Sequence, residues 1–277
     1  MWEALQYEFM QNALAAGFLA SITCGIIGTL VVVNRIVFLA GGVAHAAYGG
    51  IGLAFYFRWP YLAGTLSFSL ASAMIMAGVT LKNKERSDTI IGVIWALGMA
   101  LGIILLDLTP GYNTDLMSYL FGSILTVPGS DIRIMAILCA VIIGLVGCFY
   151  NDFLAISYDA EYARLRGIPV GIFHFLLMGL ISVSVVMVIR VVGLILVIAM
   201  LTIPPYIAEK YAGSLLKMML LSSLLSCLFT VSGLWISYAW NLTAGACIIL
   251  AGGAVFLFSF LAERFIKPLL SADPGKF

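Results

Sequence analysis

The chain has 277 residues, 63% of them apolar and 10% charged, a net charge of +1 and a mean hydropathy of +1.12. A soluble domain carries about 25% charged residues, and a net charge this small provides no electrostatic basis for binding nucleic acid. Composition therefore excludes a soluble catalytic domain, gives no sign of a nucleic-acid partner, and points to a protein embedded in membrane lipid.

In chain order, residues 1–12 carry Glu3 and Glu8 but no Lys or Arg, and so lack the basic start of a cleavable signal peptide. Apolar runs follow at 11–33, 36–57, 60–80, 89–108, 132–150, 170–190, 191–209, 214–237 and 242–263. Runs near 20 residues match the length of a helix that crosses the hydrocarbon core. They lack the apolar–polar alternation of an outer-membrane barrel strand. The prediction is an all-α, polytopic transmembrane bundle of eight or nine spans, with residues 1–277 forming a single domain. The stretch 115–128 is apolar but too short to span, and reads as a re-entrant helix. A tight outer bend is expected around Arg190 to Gly193.

The positive charges set the orientation. With 115–128 not crossing, Arg35, Lys82, Lys84, Arg86, Arg164, Arg166, Lys210, Arg264, Lys267 and Lys276 all face the cytoplasm. Arg58, Arg133 and Arg190 lie outside, and Lys217 sits at the cytoplasmic end of its helix. Nine spans then start from an external N-terminus, eight from a cytoplasmic one, and a short tail at 265–277 ends in the cytoplasm.

Within 36–57, Gly42, Ala46, Gly50 and Ala54 recur every four residues, a spacing that lets helix backbones approach closely in lipid. The helix is expected to be central, buried against neighbours or against a second copy. His45 lies near its middle, where an ionisable side chain is costly and a functional candidate by default. Its imidazole either ligates a transition metal in transit or bonds across a helix interface. His174 reads as a structural or interfacial residue. Asp107, Asp115 and Asp131 cluster on the outer side around the re-entrant stretch, as receivers of a cation or as solvated loop carboxylates. Pro204 and Pro205 sit inside an apolar run and predict a helix break, packed or lining a pathway, or a plain helix end.

The loop 151–169 contains Tyr158, Asp159, Glu161, Tyr162, Ala163, Arg164, Leu165, Arg166 and Gly167 in a pattern that predicts a short helix. Acidic residues come first and arginines last, matching the helix dipole, and Gly167 stops it. Tyr158, Tyr162 and Leu165 form an aromatic–aliphatic stripe that lies on the membrane interface or docks into a partner groove. Five cysteines are scattered singly and read as small buried apolar residues. The chain has no phosphate-binding loop, zinc-protease motif or nucleophile elbow, so energy from ATP would have to come from another polypeptide.

In their order and spacing these segments resemble the membrane subunit of the ATP-binding-cassette importers for zinc, manganese and iron, the metal-type permease family. The resemblance runs through Tyr7–Leu14, the glycine–alanine helix with His45, Thr89–Gly92, Leu120–Leu125, Tyr158–Gly167, Val192–Pro204 and Thr243–Ala246. It implies a fold similar to vitamin B12-type permeases, a homodimer, two ATPase subunits and an extracytoplasmic metal-binding protein. It also implies a multi-pass location in a prokaryotic plasma membrane (the inner membrane in a Gram-negative cell) and no permanently bound cofactor. Residues 158–167 become the coupling helix that sits in the ATPase. Many family members have an aspartate shortly before the histidine, where this chain has Gly41 and Gly42. Without that oxygen ligand, zinc is expected over manganese or iron. Rival expectations are a same-fold permease for a chelated metal and a self-sufficient secondary transporter.

Overall fold

A computed structural model describes residues 6–82, 86–109, 122, 124 and 127–270. The described elements are all helical. In chain order they are α1 (Glu8–Val33), α2 (Val37–Tyr56), α3 (Tyr61–Lys82), α4 (Ser87–Asp107), α5 (Gly129–Cys148), α6 (Tyr150–Tyr158), α7 (Ala160–Leu165), α8 (Val170–Val192), α9 (Leu194–Glu209), α10 (Leu215–Trp240) and α11 (Ala244–Leu270). The predicted re-entrant stretch lies largely outside the described residues.

Eight helices, α1 to α5, α8, α10 and α11, are long and apolar enough to cross a bilayer. The ninth apolar segment, α9, has 16 residues. At 1.5 Å per residue it reaches about 24 Å, short of the roughly 30 Å hydrocarbon core. It still reverses the chain. The Leu216 N–H at the start of α10 donates to the Tyr150 hydroxyl at the start of α6 (3.1 Å), at the end of the bundle where Asn34 meets Ser157 (2.9 Å) and Thr80 meets His174 (3.0 Å). α8 and α10 thus both start from that end, and α9 runs between them. By the charge pattern this end is cytoplasmic.

The turn from α8 to α9 consists of Gly193 alone, with φ +83° and ψ 169°. That combination is open essentially to glycine only. α1, α2 and α6 to α7 end differently, in a shared 6→1 and 5→2 pair of backbone bonds. After α1 the Ile36 and Arg35 N–H groups donate to Val31 and Val32, after α2 Trp59 and Arg58 donate to Ala54 and Phe55, and after α7 Ile168 and Gly167 donate to Ala163 and Arg164. The left-handed position of this motif is filled by Arg35 (φ 57°), Arg58 (φ 55°) and Gly167 (φ 82°).

Packing is organised around α1 and α2, which bury most of their length, while α4 and α5 expose most of theirs. In lipid, apolar side chains gain little by leaving the solvent, so close backbone contact carries the association. α2 uses it on two sides. A Cβ on Gly52 would lie 2.5 Å from the Gly102 carbonyl oxygen of α4, and one on Gly102 2.5 Å from the Tyr48 carbonyl oxygen of α2. Toward α3, a Cβ on Gly50 would lie 2.7 Å from the Gly64 carbonyl oxygen. The central position predicted for this helix is met within a single chain. α1 and α10 run antiparallel on a second small-residue seam: Gly25 faces the Ser223 backbone, and Ser21 shares a hydrogen bond with Thr230 (3.2 Å).

Three expectations about chain course are corrected. Pro204 and Pro205 do not break their helix, since α9 continues through both. Proline at 205 cannot donate to the Leu201 carbonyl. α1 covers that oxygen with Gly28, whose added Cβ would lie 2.6 Å from it, so the exposed acceptor is buried against a glycine backbone. The loop at 151–169 is not a loop followed by one helix: after a bend at Phe149, residues Tyr150–Tyr158 form α6. α6 is held by Phe153, whose ring meets Phe173 of α8 edge-on at 5.5 Å. α11 also runs on to Leu270, into the predicted tail.

Gly102→Val should separate α4 from α2 and cost about 3 kcal/mol or more by overpacking. Gly144→Val on α5, where nothing lies within 4 Å of an added Cβ, should melt like the parent. Thermal unfolding of the detergent-solubilised variants checks the contrast.

Candidate functional sites

The two seams of α2 leave one opening. From Leu39 to Gly52 every residue is buried except His45, which is partly exposed. Its ring stacks on Trp95 of α4, with centroids 4.1 Å apart and planes 10° apart. Phe38 tilts over the same indole at 6.1 Å, and the Trp95 Nε1–H donates to the Met99 sulfur (3.1 Å). The His45 Nδ1 is buried and has no hydrogen-bond partner, so the ring's exposure comes from its other atoms. An imidazole backed by an indole face is held flat and oriented, with apolar surroundings on the protein side. Nothing in the spacing of the sequence links Trp95 to His45.

Among the described residues, no group of three or more His, Cys, Asp or Glu side chains could hold a metal ion. Asp107 is exposed at the outer end of α4. From Trp95 it is three helical turns along the same helix, about 18 Å, so the fold does not bring Asp107 to His45. Asp115 lies outside the described residues. Gly41 and Gly42 add no donor: a Cβ on Gly41 would lie 3.2 Å from Ile198, and one on Gly42 would run into Ile91. Gly42, Ala46 and Gly50 are buried contact residues of α2. His174 pairs with Thr80 (3.0 Å) between α8 and α3, as its structural reading expects.

Pro204 and Pro205 are buried and face away from open space. The cavity beside them, about 480 Å³, is lined by Val32, Val37, Thr202, Ile203, Tyr206 and Phe256. It lies at the cytoplasmic ends of α1, α2 and α9. At its edge the Lys210 ammonium sits over the Tyr206 ring at 5.1 Å and 5.9 Å from the Phe260 centroid, a contact favourable for a cation on an aromatic face.

α7 is a single capped turn and a half. The Asp159 carboxylate accepts from the Glu161 N–H (2.9 Å) and the Tyr162 N–H (3.0 Å), which satisfies two of the free donors at a helix start. Arg164 lies in the last turn. Tyr158, Tyr162 and Leu165 are 71%, 54% and 88% exposed, and Arg166 lies over the Tyr162 ring at 5.9 Å. The stripe is therefore an exposed surface of the chain. Ala163 is not part of it: its side chain is fully buried, because a helix on the bundle's edge turns one face inward.

Residues 6–263 match the model of the ABC 3 transport family. The chain belongs to that family. It is 52% identical, over 95% of this chain and 94% of the relative, to an uncharacterised membrane protein of Synechocystis sp.. It is 33% identical, over 93% and 91%, to the manganese transport system membrane protein MntC of Listeria monocytogenes. Among solved structures it is similar to a chain of PsaBC from Streptococcus pneumoniae, solved in complex with a Fab. That chain is 34% identical with a TM-score of 0.86, covering 96% of this chain and 97% of its own. The family match and the eight spanning helices make this a multi-pass protein of the prokaryotic plasma membrane.

Ala163→Asp should cost several kcal/mol by burying a carboxylate and lower the melting temperature. Tyr162→Asp, on the exposed face, should stay within about 0.5 kcal/mol of the parent. Thermal unfolding of the purified variants reads both.

Proposed function

We propose that the chain is the permease subunit of an ATP-binding-cassette importer that moves a divalent transition-metal ion, zinc, into the cytoplasm. The observation that carries it is the capped helix α7, which projects Tyr158, Tyr162 and Leu165 from the cytoplasmic end of a bundle in this transport family. Burying a large apolar side chain is worth about 1.5–3 kcal/mol, so three of them give an ATPase groove a firm hold on one short element. The coupling element is then 158–167, with Asp159, Glu161, Arg164, Arg166 and Gly167 shaping the helix and Ala163 seating it on the bundle. ATP is bound and split on the partner, and two ATPase subunits act on two permease chains.

His45 is the metal-facing residue in this proposal. One imidazole does not hold an ion, and zinc takes about four ligands, so a second chain, the cargo's own waters and the residues of the outer mouth complete the coordination during passage. Incomplete coordination suits transport, since an ion must also leave. An extracytoplasmic protein delivers the ion on the side of Asp107. Imidazole without an adjoining carboxylate suits zinc better than manganese, which prefers oxygen donors; the glycines at 41 and 42 support that choice. A manganese cargo is the second reading, and the relative MntC, named for manganese transport, favours it.

His45→Ala should lower metal uptake at least tenfold with assembly intact, measured with radiolabelled zinc in cells expressing the whole transporter. Excess manganese should leave zinc uptake in the parent unchanged; strong inhibition, with saturable manganese uptake, would favour the second reading. Tyr162→Asp should lose the ATPase on affinity purification, and normal recovery would sink the assignment of α7.

A further inference from the structure

We infer that the hydrogen bond between Asn34 and Ser157 is the link that passes displacement of α7 to the helix carrying His45. The inference rests on α7 being the ATPase contact, and it names the residues that transmit what happens there.

Asn34 stands in the elbow between α1 and α2. Its side-chain amide spends both hydrogens: Nδ2 donates to the Leu30 carbonyl (2.8 Å) and to the Ser157 hydroxyl (2.9 Å). The first bond fixes Asn34 to the end of α1, and the second reaches α6, the helix that leads directly into α7. The elbow is stiff, because Arg35 is left-handed at φ 57° and the Ile36 and Arg35 N–H groups close the paired bonds to Val31 and Val32. Beyond it, α2 is packed backbone to backbone against α3 and α4. Packed interiors shift between discrete arrangements rather than bend continuously, so a pull on the elbow moves α2 as a body.

α1 also packs against α6, and the Asn34–Ser157 bond adds a directional polar link to that contact. Between the elbow and the α6–α7 unit lies a cavity of about 280 Å³, faced by Ile36, Leu81, Ser157, Arg164 and Phe173 among others. The Asn34–Ser157 bond bridges its edge. On the other side, α6 is anchored to α8 by Phe149 and Phe153, each 5.5 Å from the Phe173 ring. The α6–α7 unit is therefore held on α8 by aromatic contact and joined to the elbow by packing against α1 and by a hydrogen bond at the cavity's edge. Asn34 and Ser157 are positioning residues, and neither meets the cargo.

The test uses the full transporter, with its ATPase and metal-binding protein, in proteoliposomes, with radiolabelled zinc (or manganese, where that is the ion carried) and phosphate release read in the same vesicles. Ser157→Ala removes the acceptor and leaves the Asn34–Leu30 bond in place. ATPase recovery and ATP hydrolysis should stay within about twofold of the parent, while metal moved per ATP falls about fivefold, the equivalent of one hydrogen bond. Asn34→Ala should do the same, the double variant should be no worse, and Ser157→Thr should restore the ratio. An unchanged ratio in Ser157→Ala overturns the inference, as does a fall in uptake matched by a fall in hydrolysis, which is what a purely structural role produces. Both results leave ATPase docking on α7 standing; that assignment falls only if Tyr162→Asp still recovers the ATPase.

Discussion

Close backbone contact along α2 is the constraint on which the rest of this bundle depends. In lipid, a leucine gains little by leaving the solvent, and helices associate through dispersion at short range and through interhelical hydrogen bonds. Gly50, Gly52, Gly64 and Gly102 bring α2 within reach of α3 and α4 at distances where a Cβ would overlap a carbonyl. Because both flanks are occupied in this way, α2 has no freedom to rotate, and the one side chain that emerges from its middle, His45, comes out at a defined place against Trp95.

The same rule explains why the bundle tolerates a pair of prolines. A carbonyl without its donor is expensive in hydrocarbon unless protein covers it, and Gly28 of α1 lies directly on the Leu201 oxygen that Pro205 leaves free. α9 therefore stays helical and packed. Its polar and aromatic residues Thr202 and Tyr206, rather than the prolines, face the cavity at the cytoplasmic ends of α1 and α2. The bundle is packed differently inside and at its edge: seams of small residues inside, and a cluster of three phenylalanines beside a cavity beneath α7.

Most of the architecture was legible before any coordinates. The long apolar runs, the four-residue period of small residues in α2 and the Asp159–Gly167 helix signals each map onto the element they predict. The errors share a cause. Pro204 and Pro205 read as a break because local rules assign them a cost that only the neighbouring Gly28 removes. That Ala163 of the coupling segment faces the bundle was not legible, because a helix's sequence does not say which side meets its own protein. α6 was missed because Tyr150–Tyr158 is too short and too mixed in polarity to show a helical period, and it is held by contact with Phe173 rather than by propensity.

By itself the sequence determined that this protein is a helical membrane bundle, which segments are long and apolar enough to span it and which short helix is capped. These follow from quantities that are local in the chain: run length, charge and period. Only the tertiary structure decided that His45 stacks on Trp95, that Asp107 stays about 18 Å along α4 from that indole, and that Asn34 reaches Ser157 at a cavity's edge. Each of these joins segments distant in the chain, and the joining is done by helix packing. Its geometry depends on shape complementarity between surfaces, which no single stretch of residues encodes.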